Sequence, residues 1–189
     1  MKLSNAPRLP ASVLSLKLLI AGTCCVAHPS EYQIKALFLL DFAQSVQWPA
    51  GAFPSKRAPL VIGVLGEDPF GPLLDAVVRS SSRIGTRSVV IERYHDIAEV
   101  HRCHILFIGR PQLPELPRIL EALKEQSVLT VSDADDEEQS GVMIQLVTRS
   151  DRIRLRIDVG AAKASHLVIS PRLLRPAKVI AGRSAPDVG

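Results

Sequence analysis

The 189-residue sequence has few aromatic side chains, few cysteines and little net charge. Aromatic residues make up 4% of the chain and hydrophobic residues 47%, which is typical of a globular protein long enough for one well-filled core. No serine lies in G-x-S-x-G or another nucleophile context, and no other catalytic constellation is found. These absences count against an enzyme, and they favour a binding or regulatory protein that works without a cofactor.

The small positive charge does not indicate a nucleic-acid partner. The formal charge is +4, and three of the 23 basic residues, Lys2, Arg8 and Lys17, lie in the first 27 residues, which contain no acid. Without that segment 20 basic side chains remain against 19 acidic ones, so the rest of the chain is close to neutral. A near-neutral domain lacks the basic surplus of a polyanion-binding protein, and we expect no nucleic-acid partner.

Residues 1–27 have the organisation of an export signal. A basic start is followed by an apolar run, residues 11–26, and by small residues at the minus-three and minus-one positions of a cut after Ala27. The sequence therefore predicts a periplasmic protein whose mature chain begins at His28. An uncleaved amphipathic anchor and a lipoprotein with a lipid on Cys24 are the alternatives.

Cysteine positions exclude an internal disulfide in the predicted mature domain. Two of the three cysteines, Cys24 and Cys25, are removed with the signal, which leaves Cys103 as a lone thiol. A lone thiol has no intramolecular partner, so the domain must depend on its core for stability.

The strongly apolar stretch EYQIKALFLLDFAQSVQWPAGAF, residues 31–53, follows the signal. Ser30 predicts a helix start as an N-cap, and Trp48 before a proline predicts the helix end. Three charged residues lie between them: Glu31, Lys35 and Asp41. Because three charges in ~18 residues are too many for a membrane span, the pattern predicts a soluble helix.

On a helical wheel the apolar side chains of this helix form two arcs. The broad arc contains Tyr32, Ala36, Leu39, Leu40, Ala43 and Val46. The second arc contains Ile34, Leu37, Phe38 and Trp48. Glu31 and Lys35 lie in a gap between the arcs. A surface helix needs one apolar stripe, so the second arc needs a second partner. Either the helix is sandwiched inside its own domain with Trp48 in the core, or the second arc is partly exposed and binds a membrane partner or a second copy.

Beyond this helix, apolar runs alternate with helical patterns. The runs that predict strands are residues 59–66, 88–94, 104–109 and 127–133. The patterns that predict helices are residues 70–80, a short segment after residue 95, and residues 114–126. This alternation predicts an α/β fold with a mainly parallel sheet flanked by helices on both faces. We expect a single domain over residues 28–182 and a disordered tail over residues 183–189.

Residues 142–159 predict an antiparallel hairpin near the C-terminal half. Its second strand alternates apolar residues with arginines, which is typical of a half-exposed strand. The arginines form a basic strip: Arg149, Arg152, Arg154 and Arg156. Without interleaved aromatics the strip is a weak nucleic-acid signal, so it is either a solvated strand face or a surface for anionic headgroups or an acidic protein. The last patterns predict a helix near residue 162, a short strand at 167–170 and a final helix over 171–180.

Three local motifs are similar to ligand sites but fit none of them. The glycine-rich turn at 63–71 has neither the dinucleotide nor the P-loop spacing, and no lysine follows it. The acidic segment 132–141 lacks the glycine and the closing glutamate of a calcium loop. Four residues of metal-binding type lie close in sequence: His95, His101, Cys103 and His104. Cys103 and His104 are expected on opposite faces of a strand, so we predict no metal site.

Several stretches resemble, in order, the YfiR-like family of small periplasmic proteins. They are EYQIKALFLLDFAQSVQWPAGAF, PLVIGVLGEDPFGPLLDAV, RCHILFIG, SVLTVSDADDEEQSGVMIQLV and RIRLRIDVGAAKASHLVISPRLLRPAKVI. The resemblance implies a non-enzymatic repressor that binds the periplasmic sensing domain of an inner-membrane diguanylate cyclase and lowers cyclic-di-GMP synthesis. It also implies a disulfide between the cysteine that opens the central strand and one in the first strand. Here Cys103 is present, but the first strand reads LVIGVLG, so we expect no redox control by such a bridge.

Two functions of different classes remain. The first is a periplasmic regulator that binds an inner-membrane signalling protein, either a diguanylate cyclase or a sensor kinase, and this rests largely on the resemblance. The second is a small-ligand binding protein or enzyme that uses the crevice at the carboxyl ends of the parallel strands.

Overall fold

The computed structural model describes residues 30–81, 84–133, 141–150 and 152–180. The predicted signal peptide, the tail at 183–189 and most of the acidic segment lie outside these residues. Among the helices of the described chain, none is long and apolar enough to cross a membrane.

Helix α1, Glu31–Ser45, begins where the sequence predicts. The Ser30 hydroxyl accepts a hydrogen bond from the Gln33 amide at 3.2 Å, and Glu31 lies in the first turn, near the positive end of the helix dipole. The helix ends slightly earlier than predicted, because the chain extends at Val46–Gln47 to form the short strand β1.

Eight further strands follow within the described residues. They are β2 Leu60–Leu65, β3 Val89–Tyr94, β4 Ile105–Ile108, β5 Leu129–Ser132, β6 Ile144–Arg149, β7 Arg152–Asp158, β8 Val168–Ile169 and β9 Lys178–Ile180. Seven of them form the main sheet in the order β3-β2-β4-β5-β6-β7-β9, and β1 pairs with β8 in a separate two-stranded sheet.

The main sheet confirms the predicted α/β class. Strands β3, β2, β4, β5 and β6 are parallel neighbours, β6 and β7 form the antiparallel hairpin, and β9 lies parallel to β7. In the parallel part the chain moves from β2 outward to β3 and then crosses back to β4. The topological switch point of this doubly wound order therefore lies between β2 and β4.

Helices cover both faces of the sheet, as predicted. The remaining α-helices of the described chain are α2 Pro72–Ser80, α3 Leu116–Ala122, α4 Val159–Ala164 and α5 Pro171–Leu174. One apolar cluster joins α1, α2, α4 and α5 to the sheet and includes Leu39, Leu74 and Leu173. A second cluster joins α3 to the opposite face through Leu116 and Ile119.

The predicted final helix over residues 171–180 is wrong in its second half. Helix α5 ends at Leu174, and residues 178–180 form β9 at the edge of the sheet. Pro176 has no amide hydrogen for a helical bond and its ring obstructs the preceding turn, so the helix cannot continue through it.

Candidate functional site

Three of the four residues of the second arc share the outward side of α1. The side chain of Leu37 is 52% exposed, and Ile34 and Phe38 are half-buried. Phe38 also stacks on Phe42, with ring centroids 6.0 Å apart, and packs against the first core cluster. Spacings of three and four residues bring these side chains together on the helix. We call Ile34, Leu37 and Phe38 the α1 outer face.

Trp48, the fourth residue, belongs to a different part of the molecule. Its indole nitrogen donates a hydrogen bond to the His104 carbonyl oxygen at 3.2 Å. Its ring lies edge-on to Phe53 and to the His104 imidazole, with centroid distances of 6.4 and 6.2 Å. Trp48 is therefore half-buried beyond the end of α1 and is not part of the outer face.

The polar gap on the helical wheel faces inward. Lys35 is fully buried, and its Nζ lies 2.6 Å from Oδ1 of Asp133, a residue 98 positions away that directly follows β5. Lys35 also donates to Glu31, and the Tyr32 hydroxyl donates to Asp133 Oδ2 at 2.9 Å. The wheel placed Lys35 correctly between the arcs, but this buried ionic contact was not predicted because a helical wheel carries no information about distant carboxylates.

Further polar groups complete this carboxyl-edge cluster. Thr148 of β6 donates to Glu31 at 2.7 Å, and Arg110, after β4, lies 3.4 Å from Asp133. The hydrogen bond from Lys35 holds the pKa of Glu31 below its ordinary value. Burial, together with the bond to Asp133, raises the pKa of Tyr32 to about 12. The cluster thus joins α1 to the carboxyl ends of β4 and β5 and to β6.

The crevice at the switch point is filled by the chain itself. Gly66 follows β2 with a φ of +82°, and a Cβ added to it would lie 2.5 Å from the Gln112 side-chain nitrogen. In the glycine-rich turn, Asp68 accepts hydrogen bonds from the amides of Phe70 and Gly71 at 2.8 and 3.2 Å. Both amides lie directly before α2, whose first residue, Pro72, has no amide hydrogen, so the turn is closed by its own carboxylate.

A cavity of about 640 Å³ opens at the opposite end of the parallel strands. Its wall includes the proline-rich segment 49–59, the residues that precede β4, and the residues that precede β5. The apolar lining contains Pro49, Pro54, Pro59, Val61 and Val128, and the polar lining contains Glu92, His101, Arg102 and Glu125. We call this the amino-edge cavity.

His104 fixes one wall of the amino-edge cavity. Its Nδ1 accepts a hydrogen bond from the Val61 amide at 3.1 Å, and its Nε2 lies 3.1 Å from the Ala52 carbonyl oxygen, to which it donates. These two bonds together require the neutral ring with the proton on Nε2. Burial lowers the pKa of His104 below its ordinary value, and nearby Arg87 acts in the same direction.

Aromatic stacking continues from His104 into segment 49–59. The imidazole stacks on Phe53 with centroids 4.3 Å apart and planes 17° apart. The Arg87 guanidinium carbon lies 3.7 Å from the centroid of the Phe53 ring, and Arg87 donates to the carbonyl oxygens of Ser55 and Ala58 at 3.0 and 2.7 Å. Stacking and hydrogen bonds therefore hold this segment.

Cys103 is a buried free thiol within the described chain. Burial raises its pKa to about 12, so the sulfur is a thiol rather than a reactive thiolate near neutral pH. The residue that faces it is Gly63 of β2, the first strand of the main sheet along the chain. A Cβ added to Gly63 would lie 2.8 Å from Cys103 Sγ and 2.7 Å from Tyr94 Cε2. Cys103 belongs to the second core cluster and His104 stacks on Phe53, so the two side chains diverge as predicted. Nowhere in the described chain do three or more His, Cys, Asp or Glu residues form a group that could hold a metal ion.

The basic strip forms one face of the hairpin and extends onto β9. Arg149 lies opposite Arg152, and Arg156 lies opposite Lys178. Arg149, Arg152, Arg154 and Lys178 are exposed, and Arg156 is half-buried. Lys178 was missed from the sequence because it was assigned to a final helix.

Comparison with known proteins gives one family match. A family model described as YfiR/HmsC-like matches residues 32–178, which include the amino-edge cavity, the hairpin and all of α1 except Glu31. Among curated proteins the comparison finds no match.

Proposed function

Since the chain belongs to the YfiR/HmsC-like family, we propose that it is a periplasmic, non-enzymatic regulator that binds and represses an inner-membrane signalling protein. The family favours a diguanylate cyclase as the partner, with a sensor kinase as the alternative. The partner surface in this proposal is the α1 outer face, and the observation that carries it is the exposure of Leu37.

The surroundings of Leu37 support this choice. A single exposed leucine is ordinary on a protein surface. Here Leu37 is flanked by half-buried Ile34 and Phe38, and polar groups lie along the rim. One rim contact is the pair between Asp41 and Arg172, which lie 3.3 Å apart and join α1 to α5. An apolar patch with a polar rim is the form that many protein-binding sites take.

The competing hypothesis, a small-ligand site in the crevice at the carboxyl ends of the parallel strands, has less support. Gln112 fills the space beside Gly66, and Asp68 bonds the amides of Phe70 and Gly71 directly before α2. The amino-edge cavity, at about 640 Å³, has the ordinary size of a ligand site, roughly 300–1,000 Å³. That cavity lies at the end of the strands where such folds do not usually bind ligands.

A change of Leu37 to serine tests the proposed surface. The mature chain and its Leu37→Ser variant are each used to capture partners from solubilised inner membranes, and cyclic-di-GMP is measured in cells carrying each version. Since Leu37 is half-exposed, we expect the free energy of unfolding of the variant to lie within about 1 kcal/mol of that of the parent. The variant should nevertheless fail to capture the partner, and the cyclic-di-GMP level of the cells should rise. If the partner is a sensor kinase, capture is lost while cyclic-di-GMP stays constant.

Val168→Ser provides the matched control. Val168 is 59% exposed and lies on β8 rather than on α1, so its change should leave capture intact. A Leu37→Ser variant that folds and captures its partner as the parent does would contradict the proposal. Phe38 is a poorer test position because it packs against Phe42, and its loss would mix binding with stability.

Export is part of the proposal and has its own test. Sequencing the N-terminus of the protein recovered from the periplasm should give a chain that begins at His28. Recovery of the full-length chain from the cytoplasm would exclude this localisation.

A further inference from the structure

Segment 49–59, which forms part of the wall of the amino-edge cavity, is a weakly anchored part of the fold. It leads from β1 to the amino end of β2, and none of its residues is buried. Its own backbone hydrogen bonds are local: the Ala52 amide donates to Pro49 at 3.0 Å, and the Ala58 amide donates to Ser55 at 3.2 Å. Because local stability follows buried contacts, a segment of this kind can open without unfolding of the whole domain.

Two side chains from other elements hold the segment in place. His104 donates from Nε2 to the Ala52 carbonyl oxygen at 3.1 Å, and its ring stacks on Phe53. Arg87 donates to two carbonyl oxygens of the segment and lies over the other aromatic contact, the Phe53 ring. Arginine keeps its charge at all ordinary pH values, whereas histidine changes its charge between about pH 5 and 8. The attachment through His104 is therefore the one that pH can alter.

The attachment through His104 requires a neutral ring. Nδ1 of His104 accepts the hydrogen of the Val61 amide at 3.1 Å. An imidazolium carries a proton on both nitrogens and has no acceptor, so a proton on Nδ1 would point at the N–H group of Val61. Val61 is 6% exposed, and in the closed arrangement water does not readily replace the lost acceptor.

The surroundings of His104 do not favour a charged ring. Burial is the main cause that lowers the pKa of His104, Arg87 acts in the same direction, and the bond to the Ala52 carbonyl opposes them in part. None of the ion pairs of the described chain involves His104. The other charged or titratable side chains on segment 49–59 and around the cavity are Lys56, Arg57, Glu92, His101, Arg102, Cys103 and Glu125. A proton on the buried ring is thus uncompensated while the segment is closed.

We propose that a proton on His104 releases segment 49–59 from the amino ends of β2 and β4 and so opens one wall of the amino-edge cavity. In the open form the imidazolium is hydrated and the Val61 amide is accessible to water. The proposal is independent of the regulatory function proposed above, because it needs neither a partner nor the α1 outer face. In a periplasmic protein the segment would respond to the pH of the medium, since the outer membrane lets protons pass.

Proton linkage sets the size of the effect. In the open form His104 has the ordinary pKa of about 6.5, and in the closed form its pKa is lower. The closed form is therefore fully favoured above about pH 6.5, and each pH unit below that value favours the open form by at most about tenfold. Between about pH 7 and about pH 5 the ratio of open to closed form rises by at most about 25-fold, and by less where the closed form also binds the proton.

Amide hydrogen exchange followed by NMR tests the release on the purified mature chain. Protection factors, which compare each amide with an unstructured amide at the same pH, are measured at about pH 7 and about pH 5. We expect the Val61, Ala52 and Ala58 amides to lose protection several-fold at the lower pH, up to the limit of about 25-fold. Phe107, which is fully buried in β4, should keep its protection. The loss at Val61 should follow the titration of the His104 ring signals in the same samples.

Two asparagine variants identify the titrating group. His104→Asn retains an acceptor and a donor but cannot titrate, so the protection of segment 49–59 should not depend on pH, whether this variant holds the segment closed or leaves it open. His101→Asn, at an exposed residue of the cavity wall, should keep the pH dependence of the parent.

Several results would overturn the proposal. One is equal protection of the Val61 amide at the two pH values, and another is a pH dependence that persists in His104→Asn or disappears in His101→Asn. An equal loss of protection at Phe107 would show unfolding of the whole domain in place of a local release. Because only the purified chain is used, these results are separate from those of the Leu37→Ser capture experiment.

Discussion

The two ends of the parallel strands are built in different ways. At the carboxyl ends, buried charges and hydrogen bonds fill the space: Lys35 contacts Asp133, and Gln112 covers Gly66. At the amino ends a neutral imidazole, His104, and stacked rings frame an open cavity of about 640 Å³. Doubly wound sheets usually bind ligands at the carboxyl ends. In this domain that end serves instead to attach α1 to the sheet, and the open space lies at the other end.

The difference predicts different sensitivities. Charges taken out of water are tolerated only when they are paired, so losing one partner at the carboxyl edge leaves an uncompensated charge. The amino edge contains a group that is neutral in the fold and can gain a proton. At the carboxyl ends, we therefore expect the free energy of unfolding to respond mainly to substitution of the charged residues. At the amino ends, we expect it to respond to pH.

The largest effect is expected from Lys35→Met. The change leaves the Asp133 carboxylate, which is 1% exposed, without its nearest cation, and we expect a loss of about 3–5 kcal/mol in the free energy of unfolding. Urea unfolding followed by the fluorescence of Trp48, the single tryptophan of the sequence, measures it. Adding Asp133→Leu to this variant should recover part of the loss, because the unpaired charge is then removed.

The control for this variant is Lys124→Met. Lys124 is 66% exposed and lies 3.5 Å from Glu121, so its removal should change stability by at most about 1 kcal/mol. Equal, small effects of the two methionine variants would show that the carboxyl edge does not depend on its buried charge pair.

Gly63→Ala should cost less, about 1–3 kcal/mol, and it probes packing near the amino edge. The new methyl group would lie 2.7 Å from Tyr94 Cε2 and 2.8 Å from Cys103 Sγ, so the buried Tyr94 ring must shift. Gly51→Ala is the matched control because nothing lies within 4 Å of its added Cβ. Thermal and urea unfolding of both variants should therefore separate them, and similar values for the two would rule out tight packing at Gly63.

The pH dependence assigned to His104 comes next. Its folded-state pKa is lowered, so between that pKa and the ordinary value of about 6.5 the unfolded chain binds more protons than the folded chain. This contribution to stability is complete above about pH 6.5 and decreases as the pH falls through the folded-state pKa, by at most about 1.4 kcal/mol per pH unit. Urea unfolding of the parent and of His104→Asn across this range measures it.

The His104→Asn variant should lack this part of the slope, whereas His101→Asn, at an exposed lining residue of the cavity, should keep it. If the free energy of unfolding depended on pH in the same way in the parent and in His104→Asn, the pH response could not be assigned to His104.

The smallest effect is expected from reductant. Cys103 is buried, and burial raises its pKa to about 12, so it should react slowly with thiol reagents in the folded state and readily after unfolding. With no second cysteine in the predicted mature chain, reductant should leave the melting temperature of the monomer nearly unchanged. A drop of several degrees would reveal a covalent bridge, since losing one typically costs about 2–5 kcal/mol.

Local patterns predicted most of the fold. The Ser30 cap, the apolar runs of β2, β4 and β5, and the alternation in β7 each depend on neighbours in sequence, and each was confirmed. Pro176 already argued against a helix that continues to residue 180. The formation of β9 depends on its pairing with β7, about 20 residues earlier, and local periodicity does not record such a pairing.

The candidate site was predictable only in part. The spacing of Ile34, Leu37 and Phe38 predicted a shared side of α1, whereas the burial of Lys35 depends on Asp133, 98 residues away. Trp48 was grouped with the outer face because the wheel continued the helix past Ser45, where the chain extends into β1. The sequence predicted a crevice at the carboxyl ends of the strands, where Gln112 instead fills the space beside Gly66. Which end stays open depends on three-dimensional packing that the sequence does not record.

The packing of Tyr94 against Gly63 also bears on how redox control can arise in this lineage. Gly63 is the position of β2 that faces Cys103, so a bridge to Cys103 from this strand would need a cysteine at position 63. The side chain of a new cysteine would meet the Tyr94 ring, which is 6% exposed and bonded through its hydroxyl to Glu92. As in Gly63→Ala, the Tyr94 ring would have to shift, and a smaller side chain at position 94 would relieve that shift. The effect of a cysteine at position 63 therefore depends on the residue at position 94, which makes the two positions epistatic.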